Sequence, residues 1–355
     1  MKSFWDDLPH PFYALAPLAN VTDAAFRRVI AKYGKPDVMF TEFTSADGLI
    51  SAGRENLLID LMYSEGERPI VAQLFSGNPE KMYEAARVVQ KLGFDGLDIN
   101  MGCPDRSIER SGAGAALIKN PPMAREIIRA AKEGAAPLPV SVKTRLGYNK
   151  DTLEEWLPEL LAERPAAITV HARTRKEMSK VPAHWDRVKR AVEIRDEFCR
   201  QRTDLACPPK LRRRRGSGEK SVPCQTLILG NGDVTSIAEA REKAEATGAD
   251  GIMLGRAIFG KPWLFAVGGK RSDFEEPPIR DRLRIAVEHA KLFEQLLGKH
   301  KSFAILKKHF KAYVEGFEGA KELRLRLMET ENAEQVESIV AGLPKDHTDH
   351  TMEQF

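Results

Sequence analysis

The chain lacks the marks of several protein classes. It has only four cysteines in 355 residues: Cys103, Cys199, Cys207 and Cys224. None are spaced as C-x-x-C, which excludes the common zinc and dithiol patterns. So few and so unevenly spaced, they point to a reducing compartment rather than a disulfide framework. No apolar run approaches the roughly 18 residues a membrane-spanning helix needs, and Met1 to Pro11 carries acids and prolines but no apolar signal core. The expectation is a cytoplasmic protein with no membrane partner. No G-x-G-x-x-G fingerprint is present, so a dinucleotide held on a separate domain is not indicated. Charge of one sign is scarce as well. Net charge is +4, so composition alone does not announce a nucleic-acid binder, and the distribution of charge must carry that argument.

What is present suits a soluble globular chain, with 42% hydrophobic and 30% charged residues, enough for a sizeable core at this length. Eight short apolar runs recur: Tyr13–Leu18, Val38–Phe43, Ile70–Phe75, Gly96–Met101, Val140–Arg145, Ile168–Ala172, Thr226–Gly230 and Gly251–Gly255. They mostly lack polar alternation, as expected of parallel strands buried on both faces. Helix-length segments lie between most of them. Two examples are Pro79 to Leu92 after Asn78 and Pro121 to Lys132 after Asn120, each a cap followed by a first-turn proline. Eight βα units in about 250 residues fit a closed (β/α)8 TIM barrel better than an open sheet, although periodicity alone leaves both open.

Two segments break the alternation. Residues 196–223 contain Pro208-Pro209, the run Arg212 to Arg215 and Gly216-Ser217-Gly218, and read as a basic insertion, either a solvated loop or an RNA contact. From Ile279 strand signals give way to helical spacing, with Leu283, Val287 and Ala290, then Phe303, Leu306, Phe310, Tyr313 and Phe317. The spacing predicts a small C-terminal helical domain at 279–345 behind a barrel domain at 1–265, with a tail at 346–355. Those aromatics read as core rather than base-stacking platforms. Lys299 to Lys311 holds five lysines, two histidines and no acid. Such a run is either a solvated face or a track for a phosphate backbone.

In a (β/α)8 barrel the active site sits at the C-terminal strand ends. Those ends carry Ala16-Pro17-Leu18-Ala19, Gln73, Asn100-Met101-Gly102-Cys103-Pro104, Lys143-Thr144-Arg145, His171-Ala172-Arg173, Gly230-Asn231-Gly232-Asp233 and Gly255-Arg256. The glycines after strands seven and eight are either ordinary turns or a phosphate cradle, and barrels often bind phosphate there. Lys143 and His171 would project into the mouth, where a cation stabilises the negative charge that collects at the N1–C2 edge of a reduced flavin. Gln73 suits the pyrimidine edge, and Pro17 and Leu18 suit the ring. One phosphate and one ring point to FMN. Cys103 is either a buried structural cysteine or a proton donor, since a thiol with a reference pKa near 8.5 stays mostly protonated at neutral pH.

Taken in order, these motifs resemble the tRNA-dihydrouridine synthase family. The matching residues are Ala16 to Asp23, Gln73-Leu74-Phe75, Asp98 to Pro104, Val142 to Arg145, His171 to Arg175, Gly230 to Asp233 and Gly255 to Ala257. Asn-x-Gly-Cys-Pro is the most specific, and Lys307-Lys308-His309 is similar to a basic element of the family's helical tail. The resemblance implies an FMN enzyme that takes hydride from NADPH (or NADH), passes it to C6 of a uridine in tRNA, and protonates C5 from Cys103. It implies that Pro17, Leu18, Ala19, Gln73, Lys143, His171, Asn231, Gly232, Asp233, Gly255 and Arg256 bind FMN, and that Asn100 and Arg145 hold the uracil. No metal enters. A monomer is expected, with Lys299–Lys311 and Arg212–Arg215 as candidate walls of a basic groove for the RNA. The insertion at 196–223 is longer than a compact bacterial-type member carries and leaves the uridine position open. Two other readings stand beside this one: an FMN barrel acting on a small metabolite, like a dihydroorotate dehydrogenase, and an RNA-binding protein on a retired barrel.

Overall fold

The structure, a computed structural model, describes residues 3–201, 226–266 and 276–343. In chain order the elements are β1 (Phe12–Leu15), α1 (Ala24–Tyr33), β2 (Met39–Ser45), α2 (Ala46–Leu49), α3 (Glu55–Leu58), β3 (Ile70–Phe75) and α4 (Pro79–Lys91). There follow β4 (Gly96–Met101), α5 (Arg106–Arg110), α6 (Pro121–Ala135), β5 (Val140–Arg145), α7 (Leu153–Ala162), β6 (Ala167–His171), α8 (Trp185–Gln201), β7 (Leu227–Asn231), α9 (Ile237–Thr247) and β8 (Gly251–Leu254). The C-terminal helices are α10 (Ile279–Leu297), α11 (Lys307–Tyr313), α12 (Ala320–Met328) and α13 (Ala333–Ala341).

The strands pair in the order β1-β8-β7-β6-β5-β4-β3-β2, all parallel. The ring closes between β1 and β2. There Leu15 N–H donates to Val38 C=O at 3.0 Å, Asp37 N–H donates to Tyr13 C=O at 2.9 Å, and Ala14 bridges Val38. Closure decides between the two arrangements the periodicity allowed: this is a (β/α)8 barrel. β3, β4 and β5 coincide with their apolar runs because both of their faces are buried. β1 stops three residues short of its run. Pro17 has no N–H to pair, and Leu18 N–H turns away to the Thr22 hydroxyl at 2.9 Å. The helix starts read from sequence follow from capping. Asn78 accepts from Lys81 N–H at 3.0 Å, and Asn120 accepts from Met123 N–H at 3.3 Å.

Two expectations change. Helix α8 runs through Gln201, so residues 196–201 are helical rather than the start of an insertion. The rest of that segment, 202–223, and the tail at 346–355 lie outside the described residues. Cys103 is free and Cys199 is disulfide-bonded, where the cysteine spacing pointed to a reducing compartment rather than a disulfide framework.

The C-terminal helices pack on the barrel through α1. Glu288 of α10 takes Lys32 Nζ at 2.7 Å and the Tyr33 hydroxyl at 2.6 Å. Phe293, Leu306, Phe310 and Tyr313 are buried, so the helical spacing does mark core. His289 and His309 are buried with them, 4.8 and 4.3 Å between ring centroids from Phe26 of α1. Among the described residues no helix is long and apolar enough to cross a membrane.

Candidate active site

Side chains two apart on a strand share a face. Asp98 and Asn100 of β4 therefore face the barrel interior together with Ser141, Lys143 and Arg145 of β5, and the register continues the layer around the mouth. Gln73 pairs with Asp98, Asn100 with Lys143, Arg145 with His171, and His171 with Asn231. Closure thus brings seven of the residues singled out from sequence to one rim: Gln73, Asn100, Cys103, Lys143, Arg145, His171 and Asn231.

A chain of hydrogen bonds fixes how these groups point. Ser141 Oγ donates to Asp98 Oδ1 at 2.6 Å, and Gln73 Nε2 donates to Asp98 Oδ2 at 2.7 Å. Gln73 Oε1 then accepts from Asn100 Nδ2 at 3.0 Å. Asn100 Oδ1, turned the other way, accepts the backbone N–H groups of Gly102 at 3.1 Å and Cys103 at 2.9 Å. A carboxylate can only accept, so Asp98 sets the orientation of both amides and, through them, the Cys103 loop. Asp98 is fully buried, and burial pushes its carboxyl up to about 6 against the pull of Ser141, Gln73 and Lys143. Sequence reasoning quoted Asp98 but gave it no role. The signal was an acid inside a strand whose other residues, Asn100 apart, are apolar.

Cys103 is half-buried, and burial raises its thiol above its ordinary value, so it carries its proton at neutral pH. Arg145 braces the same loop: Nε donates to Gly102 C=O at 2.7 Å and Nη1 to Thr174 C=O at 3.1 Å. Nη2 bonds no described residue. Burial, first, lowers this guanidinium to about 10.

Lys143 is the most exacting group in the mouth. Burial, then the nearby Arg145, bring its ammonium down to about 8, while Asp98 and Cys103 pull the other way. It has three N–H donors and, among the described residues, one acceptor, Asn231 Oδ1 at 3.2 Å. A half-buried cation this short of acceptors is relieved by an anion or an electron-rich ring edge. His171 is held well below its ordinary value by burial, then by Lys143, Arg145, Arg173 and Arg256, so its ring is neutral. Arg173 Nη1 lies 3.4 Å from His171 Nε2. Arginine only donates, which makes Nε2 the acceptor and assigns the ring proton to Nδ1.

Asp233, at φ +53°, lies with its carboxylate between Arg173 and Arg256, and the Arg173 bond, first, holds it below its usual range. Its charge is therefore neutralised rather than presented to an anion. Arg173, which sequence reading left out of the site, is the buried half of that pair. Gly232 takes φ +148°, and a Cβ there would meet Ala183 Cβ at 2.8 Å. At Gly255 a Cβ would touch only Ala16 at 3.7 Å and Leu18 at 4.0 Å, so the glycine keeps space open beside the turn that carries Pro17, Leu18 and Ala19. Gly230 serves packing instead: a Cβ would lie 2.5 Å from the Trp185 ring. The mouth thus combines a half-buried cation, open space at Gly255 and apolar Pro17 and Leu18, a set with which one phosphate and one planar ring are compatible.

The basic run behind the barrel divides. Lys299, His300 and Lys311 are exposed, as a phosphate-facing wall requires. Lys301 instead pairs with Glu42 and Asp60 at 2.7 Å each and His309 is buried, while Lys308, also exposed, donates its Nζ to Asn20 C=O at 2.6 Å. Arg212–Arg215 lie outside the described residues.

Comparison with known proteins bears on this geometry. The family model described as Dihydrouridine synthase (Dus) matches residues 14–197 and 219–348. A probable tRNA-dihydrouridine synthase 2 of Bacillus subtilis (strain 168) is 37% identical over 351 residues, 98% of this chain and 98% of that protein. A probable tRNA-dihydrouridine synthase of Staphylococcus aureus (strain COL) is 37% identical over 342 residues, 96% and 95% of the two chains. Among solved structures, morphinone reductase in complex with tetrahydroNAD aligns with 75% of this chain and 88% of its own at 14% identity, with a TM-score of 0.46. That likeness is remote, and the barrel assignment stands on strand order and closure.

Proposed function

Since the chain belongs to the dihydrouridine synthase family, we propose that it reduces the C5–C6 double bond of uridine in tRNA, with FMN held at the barrel mouth and NADPH, or NADH, as the reductant. The observation that carries this reading is a protonated, half-buried Cys103 thiol on a braced loop, in the field of the half-buried and under-bonded Lys143. Lys143, Gln73 and His171 would hold the polar side of the flavin, the Lys143 cation favouring its anionic reduced form, and Pro17, Leu18 and Ala19 would pack against it. Asn231, Gly232, Asp233, Gly255 and Arg256 would hold its phosphate. When bound, the reduced cofactor is the source of the hydride that C6 receives.

The residues of this chain do the rest. Asn100 has one N–H left after bonding Gln73, and Arg145 has Nη2 left, and these orient the uracil. Cys103 delivers its proton to C5, which with the hydride completes a two-electron reduction. The thiolate left behind is stabilised by Arg145 and Lys143, both of which lower the Cys103 pKa, until it takes a proton from water. The target base is extruded from folded RNA into the mouth. Residues 1–265 are the catalytic unit and 279–345 the tRNA-binding one, in a monomer. The exposed Lys299, His300 and Lys311 are the phosphate contacts among the described residues.

Purified protein should be yellow, bind FMN, and restore dihydrouridine to tRNA from cells lacking the gene. Cys103→Ala should keep FMN and lose at least about 100-fold in rate. Colourless protein that takes up no FMN sinks the flavin reading, and a wild-type rate in Cys103→Ala sinks the proton-donor assignment.

A further inference from the structure

The turn after β1 carries Pro17, Leu18 and Ala19 into the barrel mouth, and the next residue is gripped on both sides. Asn20 N–H donates to Glu42 Oε1, from β2, and Asn20 C=O accepts from Lys308 Nζ at 2.6 Å, from α11. Glu42 Oε2 in turn takes Lys301 Nζ at 2.7 Å, and Lys301 reaches Asp60 Oδ1 at 2.7 Å. The Lys301 and Glu42 side chains are 12% and 5% exposed, so their charges persist only as a bonded pair. Asn20 itself adopts φ +57°, a left-handed conformation that asparagine tolerates and that its surroundings must hold. Two lysines from the C-terminal helical region are thus committed to the backbone of a barrel-mouth turn. One acts directly and one acts through Glu42.

We propose that Lys308 is a positioning residue for the cofactor turn, acting through the Asn20 carbonyl, with Lys301 and Glu42 securing the opposite side of the same residue. The functional consequence rests on the FMN reading above. It adds to the role a basic run suggests, because Lys308, although exposed, spends a donor of its ammonium on the barrel. It also couples the two ends of the site: RNA that shifts α11 moves the turn beneath the cofactor, and by linkage FMN binding alters RNA affinity by the same factor.

The test uses the full-length protein and Lys308→Met. Val21 and Thr22 N–H groups are closed onto Leu18 C=O at 3.0 Å, so amide hydrogen exchange at these two positions reports the turn without any ligand. Exchange there should quicken about tenfold and FMN Kd should rise about tenfold, the loss of one charge-assisted hydrogen bond. Lys308→Arg should recover most of both. The salt slope of tRNA binding should stay unchanged. Unchanged exchange and FMN affinity, with the salt slope falling by about 1, would make Lys308 a phosphate contact and overturn the proposal. If wild-type protein takes up no FMN, the functional reading fails, and exchange at Val21 and Thr22 still decides whether Lys308 holds the turn. Should Lys308→Met not fold, Lys308→Gln, too short to reach Asn20, is read in the same way.

Discussion

Replacing Lys143 by methionine should make the ligand-free protein more stable. Lys143 is half-buried, and its ammonium is brought from 10.5 to about 8, by desolvation first and by Arg145 second. A depression of that size means that, at neutral pH, keeping the charge costs the folded chain roughly 3 kcal/mol. Methionine keeps the length and apolar stem and discards the charge. Two losses offset part of the gain. The bond to Asn231 goes, although it is long at 3.2 Å, and buried Asp98 loses a nearby cation. A net gain of about 1–2 kcal/mol remains. The pH dependence follows from linkage. Between about pH 8 and 10.5 the unfolded chain holds more protons at this position than the folded one, so Lys143 makes wild-type stability rise with pH in that window. Below about pH 8 both states are protonated and the slope from this group vanishes. The variant should therefore lead at pH 7 and lose its lead by pH 10. Urea unfolding of FMN-free protein at several pH values measures this directly. The same substitution should weaken FMN binding by about 10- to 100-fold, the value of a hydrogen bond to a charged group. A variant less stable than wild type at pH 7, or a difference that stays flat from pH 8 to 10, would refute the account of Lys143 as a strained cation awaiting an anion.

The hydrogen-bond chain from Asp98 makes a second claim. Asp98→Asn can still accept from Gln73 while donating to Ser141, whose hydroxyl reverses, so the single change should cost under about 1 kcal/mol. Adding Ser141→Ala strands a buried amide and should cost about 1–3 kcal/mol more, with faster exchange at Gly102 and Cys103. Equal damage from the single and the double variant would show that orientation does not travel along the chain. His309 makes a third. Both its ring nitrogens are buried without a hydrogen-bond partner among the described residues, and burial holds its pKa well below 6.5. Below pH 6.5 the unfolded chain binds a proton there that the folded chain refuses, so acid erodes stability by up to about 2 kcal/mol down to pH 5. His309→Phe should remove that share of the loss in thermal unfolding followed from pH 7 to 5, while His171 and His289, also held below 6.5, keep theirs, and an undiminished loss would refute the His309 contribution.

How far the sequence could be read depends on the range over which each feature is decided. Strand positions were legible because a parallel strand buried on both faces is apolar throughout, a local property, and β3 to β5 match their runs end to end. The convergence of Gln73, Asn100, Lys143, His171 and Asn231 was legible too, since a closed barrel gathers its strand ends whatever the loops do. Pairing was not legible. Asp233 reads as a loop acid beside a glycine, and only the fold shows it lying between Arg173, 60 residues away, and Arg256. The lysine run shows the limit most clearly. Over Lys299 to Lys311 the sequence presents one uniform basic stretch, but Lys301 meets a carboxylate 259 residues away and Lys308 a carbonyl 288 residues away, while Lys299 and Lys311 stay exposed. A charge run reports composition, and what each charge bonds is settled by partners the run does not contain. The physical consequence is a division within one short segment. Lys299 and Lys311, which bond no described residue, should contribute to salt-dependent RNA affinity, and Lys301 and Lys308 should act on the barrel mouth. Neutralising Lys299 and Lys311 together should lower the salt slope of tRNA binding by about 2 and leave FMN affinity alone.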